Sequence, residues 1–151
     1  MFNFEEYEKQ CEVIRNTNEK YLQMFEEDLQ QEKLKRSTIN RHLRNADFYL
    51  NVFLLREDSH TMHDGVIMLD LYLGDFFIRK CAWSTPGTIK SNAASIKRFY
   101  KCMMEHGEIS FADFDFLCSE IKELMPEWQS LCAQYNDPDE ENPFIDGWGW
   151  L

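Results

Sequence analysis

The chain has 151 residues, of which 44% are hydrophobic, and its formal net charge is −11. This composition supports one domain with a substantial apolar core and argues against a chain that is disordered throughout. No stretch approaches the ~18 uninterrupted apolar residues of a membrane span, and the acidic N-terminus lacks the apolar region of a secretory signal. We therefore expect a cytoplasmic protein with no membrane partner.

Glycine, proline and cysteine usage restricts both the fold and the chemistry. Only six glycines and four prolines interrupt the chain, which favours long helices over many short strands. The cysteines are odd in number and form no CxxC pair, so they predict neither a disulfide framework nor a zinc knuckle. They are Cys11, Cys81, Cys102, Cys118 and Cys132. We expect reduced thiols, with Cys102, Cys118 and Cys132 packed in the core, and no metal, no cofactor and no small-molecule substrate.

Positive charge is concentrated in the middle of the chain. Residues 1–32 contain nine acidic and three basic residues, and residues 105–151 contain twelve acidic residues and one basic residue. Residues 33–104 reverse this balance with twelve basic and six acidic residues, and residues 76–104 contain no acidic residue at all. The net charge therefore hides a basic segment between two acidic ones.

The first half of the chain has helical periodicity. Apolar residues spaced by three and four over residues 4–29 predict one amphipathic helix, or two helices that meet near Thr17, where Asn-Thr-Asn offers an N-cap. Ser37 or Thr38 is expected to cap a second helix. A polar loop over 56–65 then leads to a third helix, whose apolar residues on nearly every side predict a central, buried position.

The second half continues with helices. Thr85 followed by proline predicts the start of a fourth helix, and Gly107 is a natural residue to end it. Ser110 is expected to cap a last helical region, which Pro126 either kinks or divides. No strand-like alternation persists anywhere, so the predicted fold class is all-α, a helical bundle.

The predicted second and fourth helices carry a cationic side. Taking 100° per residue, Arg41 and Arg44 lie opposite Ile39 on the second helix. The fourth helix carries Ser91 and Ser95 beside a row of cations on one flank, away from its apolar stripe: Lys90, Lys97, Lys101 and, slightly apart, Arg98. Basic residues with small hydroxyl residues suit phosphate oxygens, although an ordinary solvated face has the same composition.

A longer pattern runs over residues 20–111. On the second helix it consists of Ser37, Thr38, Ile39, Phe48, Tyr49 and Leu50. On the fourth helix and its end it consists of Thr88, Ile89, Ile96, Phe99, Tyr100, Gly107 and Ile109. In this order the pattern resembles the N-terminal, SAM-like core-binding domain of phage integrases and related tyrosine recombinases.

The resemblance implies a bundle of four to five core helices that clamps DNA with its second and fourth helices. The chain would then be a single domain with a helical extension (1–19), an integrase-like bundle (20–111) and an acidic C-terminal helix with an aromatic tail (112–151). Carried over residue by residue, the DNA-binding set comprises Lys35, Arg36, Arg41, Arg44, Lys90, Lys97, Arg98 and Lys101.

The chain departs from that family in its catalytic half. A recombinase needs a second domain with an Arg, an HxxR pair and a nucleophilic Tyr. Residues 110–151 contain neither Arg nor His, and His42 and Arg44 are too close together for HxxR. We therefore expect a DNA-binding module that is not an enzyme.

Two other features have competing interpretations. His60 and His63, with Asp58 and Asp64, have a metal-like HxxH spacing, but a polar loop is the favoured interpretation. The tail over 143–151 contains Trp148 and Trp150, which either dock on the bundle or anchor a protein partner. The second interpretation supports an alternative function, a protein–protein adaptor that uses the acidic C-terminus.

Overall fold

The computed structural model describes residues 2–144, and within them the chain forms helices and no β-strand. The five helices, with the π-helical stretches that extend them, are α1 (Phe4–Gln31), α2 (Arg36–Asp47, then Phe48–Phe53), α3 (Leu69–Leu71, Tyr72–Phe76 and Phe77–Lys80), α4 (Pro86–Glu105) and α5 (Phe111–Asn136). A 3₁₀ turn, Asp64–Ile67, precedes α3. The predicted all-α bundle is confirmed. No helix in this part of the chain is long and apolar enough to cross a membrane.

The first helix is one continuous rod rather than two helices that meet near Thr17. The Thr17 hydroxyl donates to the Val13 carbonyl at 3.1 Å, so it bonds inside the helix instead of capping a new one. Asn18 is only 1% exposed and donates from Nδ2 to Asn51 Oδ1 at 2.8 Å. This contact joins the middle of α1 to the far end of α2, and Arg36 at the start of α2 pairs with Glu26 later in α1, so the two helices run antiparallel. The Asn18 side chain, which resembled a cap, therefore makes a tertiary bond.

The second helix begins two or three residues earlier than predicted, and neither Ser37 nor Thr38 caps it. Its N-cap is Lys35, in an extended conformation without a side-chain cap. The connection from α1 is short and passes through Lys33, whose φ of +59° places it in the left-handed region. This tight turn determines where α2 starts, because it reverses the chain and leaves Arg36 as the first residue that can adopt the helical conformation.

Helices α4 and α5 begin, and α4 ends, at the capping residues that the sequence predicts. The Thr85 hydroxyl oxygen accepts from the Thr88 backbone N–H at 3.0 Å, and the Thr88 hydroxyl oxygen accepts from the Thr85 backbone N–H at 2.7 Å. Gly107 has a φ of +78°, as a left-handed residue after a helix requires. Ser110 accepts from the Asp113 backbone N–H at 3.0 Å. Pro126 lies inside α5 and does not divide it.

The core lies where α2, α3, α4 and α5 meet, and α1 covers α2 and the end of α4. Its largest fully buried side chains are mostly aromatic: Trp128, Tyr49, Tyr72, Tyr100, Phe25, Phe53, Phe77 and Phe99.

Two tyrosine hydroxyls of this core donate to backbone carbonyls of the predicted polar loop. Tyr49 donates to the Gly65 carbonyl at 2.6 Å, and Tyr100 donates to the Met62 carbonyl at 2.7 Å. Gly65 approaches so closely that a Cβ there would lie 2.4 Å from the Tyr100 hydroxyl. This loop is therefore fixed to the core.

The third helix is less buried than its sequence predicts. Leu69, Leu73 and Phe77 are buried, but Leu71 is 53% exposed and Ile67, just before the helix, is 69% exposed. One side of α3 faces solvent because α1 packs against α2 and α4 rather than over it.

The acidic C-terminal segment turns back toward the bundle as far as it is described. The Phe144 ring lies 5.8 Å from the Tyr135 ring of α5, and the Arg79 guanidinium lies 5.3 Å from the Phe144 ring. Trp148 and Trp150, the predicted partner-binding residues, lie outside the described residues.

Candidate nucleic-acid interface

A polar seam joins α2 to α4. The His42 Nδ1 lies 2.7 Å from the Ser95 Oγ, and the Asn45 Nδ2 donates to the same oxygen at 3.0 Å. Ser95 is 0% exposed. The expectation that Ser95 lies beside the cations as a phosphate contact is therefore wrong, because its hydroxyl is used to hold the two helices together.

One arginine from each helix lies near this seam, and three lysines stand on exposed positions of α4. All of them are exposed, and we call the set the basic face: Arg41, Lys90, Lys97, Arg98 and Lys101. Burial lowers the pKa of His42, and the charges of Arg98 and Arg41 lower it further. The His42 imidazole is therefore close to one arginine from α2 and one from α4, so the two helices that carry the basic segments are neighbours in the fold.

Acidification is expected to destabilise the protein through His42. An unfolded histidine has a pKa of about 6.5, whereas the pKa of His42 in the fold is lower. Between these two values the unfolded chain binds a proton that the folded chain does not, so stability is complete above about pH 6.5 and falls as the pH drops through this window. Urea unfolding between about pH 7.5 and 5 should show a smaller loss for His42→Gln than for the parent.

The comparison of the two proteins isolates the histidine. Burial raises the pKa of Glu120, so the folded chain takes up a proton there before the unfolded chain does, and this favours the fold as the pH falls. The parent and His42→Gln share this contribution, so it cancels when the two are compared. Identical pH dependence in parent and variant would contradict the assignment.

Of the three remaining predicted DNA-binding cations, two lie on the α1 side of α2 and one precedes the helix. The Arg36 guanidinium pairs with the Glu26 carboxylate at 2.6 Å. Arg44 lines a second groove together with Glu19 and Glu26. Lys35 is exposed at the N-cap of α2. Of the eight predicted residues, the structure therefore places Arg41 and Arg98 near His42, leaves three lysines on exposed positions of α4, and places Arg36 and Arg44 beside the acidic helix α1.

An acidic border runs along the basic face. A groove of about 710 Å³ separates the last turns of α1 from α4, and its charged lining residues are Lys97, Arg98, Lys101, Asp28, Glu32 and Glu105. The Arg98 Nη1 lies 3.0 Å from the Glu32 Oε2. Within residues 2–144, no carboxylate comes within 4.0 Å of the side-chain nitrogens of the other four members of the face. Sequence reasoning missed this border, although the acidic end of α1 lies only a few residues before α2.

A second feature that sequence reasoning missed lies at the end of the same groove. The Cys102 thiol, the His106 imidazole and the Asp28 carboxylate offer ligand atoms within 4.8 Å of one another. Burial, and then the Asp28 carboxylate, raise the pKa of the Cys102 thiol. Cys102 is buried, as predicted for core packing, but its position four residues before His106 places both on one face of α4. The four-residue spacing of Cys102 and His106 could have been noticed in the sequence. Asp28 lies on α1, and the sequence does not indicate that this part of α1 packs beside them.

The loop histidines do not form such a cluster. The His60 Nδ1 lies 3.6 Å from the Asp64 Oδ2, and the His63 Nε2 donates to the Glu108 carbonyl at 2.9 Å. In the part of the chain that the structure describes, the three-residue group around Asp28 alone has the composition and spacing of a metal site. The interpretation of residues 58–64 as a polar loop agrees with this geometry.

Comparison with known proteins identifies no relative: no protein-family model, no curated protein and no solved structure matches the chain. The resemblance to integrase core-binding domains therefore rests on the residues of this sequence.

Proposed function

We propose that this protein is a non-catalytic module that binds duplex DNA by its phosphates, using the basic face. The observation that carries the proposal is that Arg41 of α2 and Arg98 of α4 both lie near His42, in the seam that His42 and Ser95 form. Cations presented by two packed helices can span neighbouring phosphates of a duplex without a large rearrangement. The resemblance to integrase core-binding domains, which implies DNA contact by the second and fourth helices, supports the same surface.

The cations of the face are available for this role at low energetic cost. Lys90, Lys97 and Lys101 extend from the exposed side of α4, so contact with a phosphate requires no displacement of core residues. Arg98 must leave Glu32, but both side chains are about half exposed, at 44% and 52%. An exposed pair of this kind contributes only about 0–1 kcal/mol, so exchanging its carboxylate for a phosphate costs little.

The acidic border determines how the duplex is placed. The carboxylates of Asp28, Glu32 and Glu105 repel phosphates from the groove beside α1. A duplex is therefore directed away from α1 and onto the exposed side of α4, and the overall charge of −11 keeps non-specific affinity low. Binding of this type reads backbone position rather than base sequence.

Salt dependence is the experiment that tests the proposal. Fluorescence anisotropy with a labelled duplex, at salt concentrations from about 25 to 200 mM, should give a linear fall of log affinity with log salt. Each neutralised phosphate contributes a slope of about −0.9, so the five cations limit the slope to about −4.5. A chain that shows no binding at the lowest salt, or binding that salt does not weaken, contradicts the proposal.

A protein–protein adaptor remains the second candidate, because two large apolar side chains are exposed on the acidic helix α5. Phe111 is 69% exposed and Phe116 is 47% exposed. An adaptor that uses this surface is expected to ignore duplex DNA even at low salt. It should also bind its partner less well after Phe111→Ser combined with Phe116→Ser, whereas DNA binding by the basic face should not depend on these phenylalanines.

A further inference from the structure

Three side chains of different chemistry meet where the end of α1 crosses the end of α4. The His106 Nε2 lies 3.1 Å from the Asp28 Oδ2 and 3.3 Å from its Oδ1. The Cys102 Sγ completes the group within 4.8 Å. Cys102 lies in the last turn of α4, and His106 is the residue that follows the helix. The His106 backbone N–H donates to the Cys102 carbonyl at 3.0 Å, which fixes the separation of the two residues, while α1 supplies the carboxylate from the opposite wall of the groove.

The separations fit a tetrahedral zinc site. With Zn–N and Zn–O bonds of about 2.0–2.1 Å and a Zn–S bond of about 2.3 Å, neighbouring ligand atoms stand roughly 3.2–3.8 Å apart. The nitrogen–oxygen separations here already have nearly this value. The sulfur lies within 4.8 Å of the other two ligand atoms. Its separation from them has to shorten by at most about 1.3 Å, which side-chain rotation can supply.

The ligand chemistry and access also favour zinc. A thiolate with an imidazole and a carboxylate suits Zn²⁺, whereas Mg²⁺ and Ca²⁺ prefer oxygen ligands alone. Asp28 and Cys102 both line the groove between α1 and α4, so an ion can reach the site from solvent. Three protein ligands leave the fourth position of the tetrahedron to water.

We propose that Asp28, Cys102 and His106 bind one Zn²⁺ ion. The ion links the last turns of α1 to the end of α4 and stabilises the fold, because it binds the folded chain in preference to the unfolded one. This site uses none of the residues of the basic face, so the zinc proposal and the DNA proposal can fail separately.

Zinc binding to the purified full-length chain, measured by equilibrium dialysis at micromolar zinc, tests the site. We expect one Zn²⁺ per chain and a thermal unfolding midpoint that rises with zinc. Asp28→Asn and His106→Gln should each weaken zinc binding at least about tenfold, since even partners outside the ligand shell contribute 10–100-fold. Both residues are partly exposed, so these variants should fold.

Two controls separate this site from general metal binding. His63→Gln changes a histidine outside the cluster and should leave zinc affinity unchanged. With Co²⁺ as the probe, the parent and Cys118→Ser should show a thiolate-to-cobalt charge-transfer band that Cys102→Ser lacks. No zinc retained by the parent, unchanged affinity in Asp28→Asn and His106→Gln, or a cobalt band that survives Cys102→Ser would each overturn the proposal.

Discussion

Lys97→Glu combined with Lys101→Glu is expected to weaken duplex-DNA binding at least tenfold at low salt. Both lysines are exposed on α4, and in residues 2–144 neither has a carboxylate within 4.0 Å, so they are free to contact phosphates. Loss of each phosphate contact removes about one unit from the salt slope, so the slope should become shallower by about two. Fluorescence anisotropy across a salt series measures both effects.

A matched charge change on another surface is the necessary control. Lys9→Glu combined with Lys20→Glu produces the same change in net charge on exposed positions of α1, away from the basic face. If this control weakens DNA binding as much as the α4 variant does, the effect comes from total charge and not from a site. If neither variant weakens binding, the assignment of the basic face fails.

Trp128→Ala is expected to cost about 4 kcal/mol of unfolding free energy, the value typical of a large aromatic side chain removed from a core. Trp128 is 0% exposed and donates from Nε1 to the Asp70 Oδ1 at 2.8 Å, which ties α5 to α3. Gly74 lies so close that a Cβ there would be 3.0 Å from the indole nitrogen. The substitution therefore leaves both a cavity and a carboxylate without its donor. Urea unfolding measures the loss.

Trp83→Ala is the matched control for this prediction. Trp83 is 57% exposed, although its ring contacts the Phe48 ring edge-on at 6.0 Å between centroids. Its removal should cost no more than about 1.5 kcal/mol, because most of the indole is already hydrated in the fold. Equal losses for the two tryptophans would contradict the buried role of Trp128 between α3 and α5.

The features predicted correctly from the sequence depend on neighbours along the chain. Thr85 and Ser110 start their helices because each side-chain oxygen bonds a backbone N–H three residues later. Gly107 ends α4 because a residue without Cβ adopts positive φ most easily. The same local rule failed at Thr17, whose hydroxyl bonds inside the helix, and at Thr38, because the turn through Lys33 starts α2 at Arg36.

The sequence by itself determined the helical periodicity, and with it the all-α class and the side of α4 that carries Lys90, Lys97 and Lys101. Only the tertiary structure decided that Ser95 is buried in a seam, that acidic α1 borders the basic face, and that Asp28 reaches Cys102 and His106. The physical reason is the range of the interactions. Helical periodicity and caps act over a few residues, whereas these contacts join residues that are 53 to 78 positions apart and depend on how the helices cross.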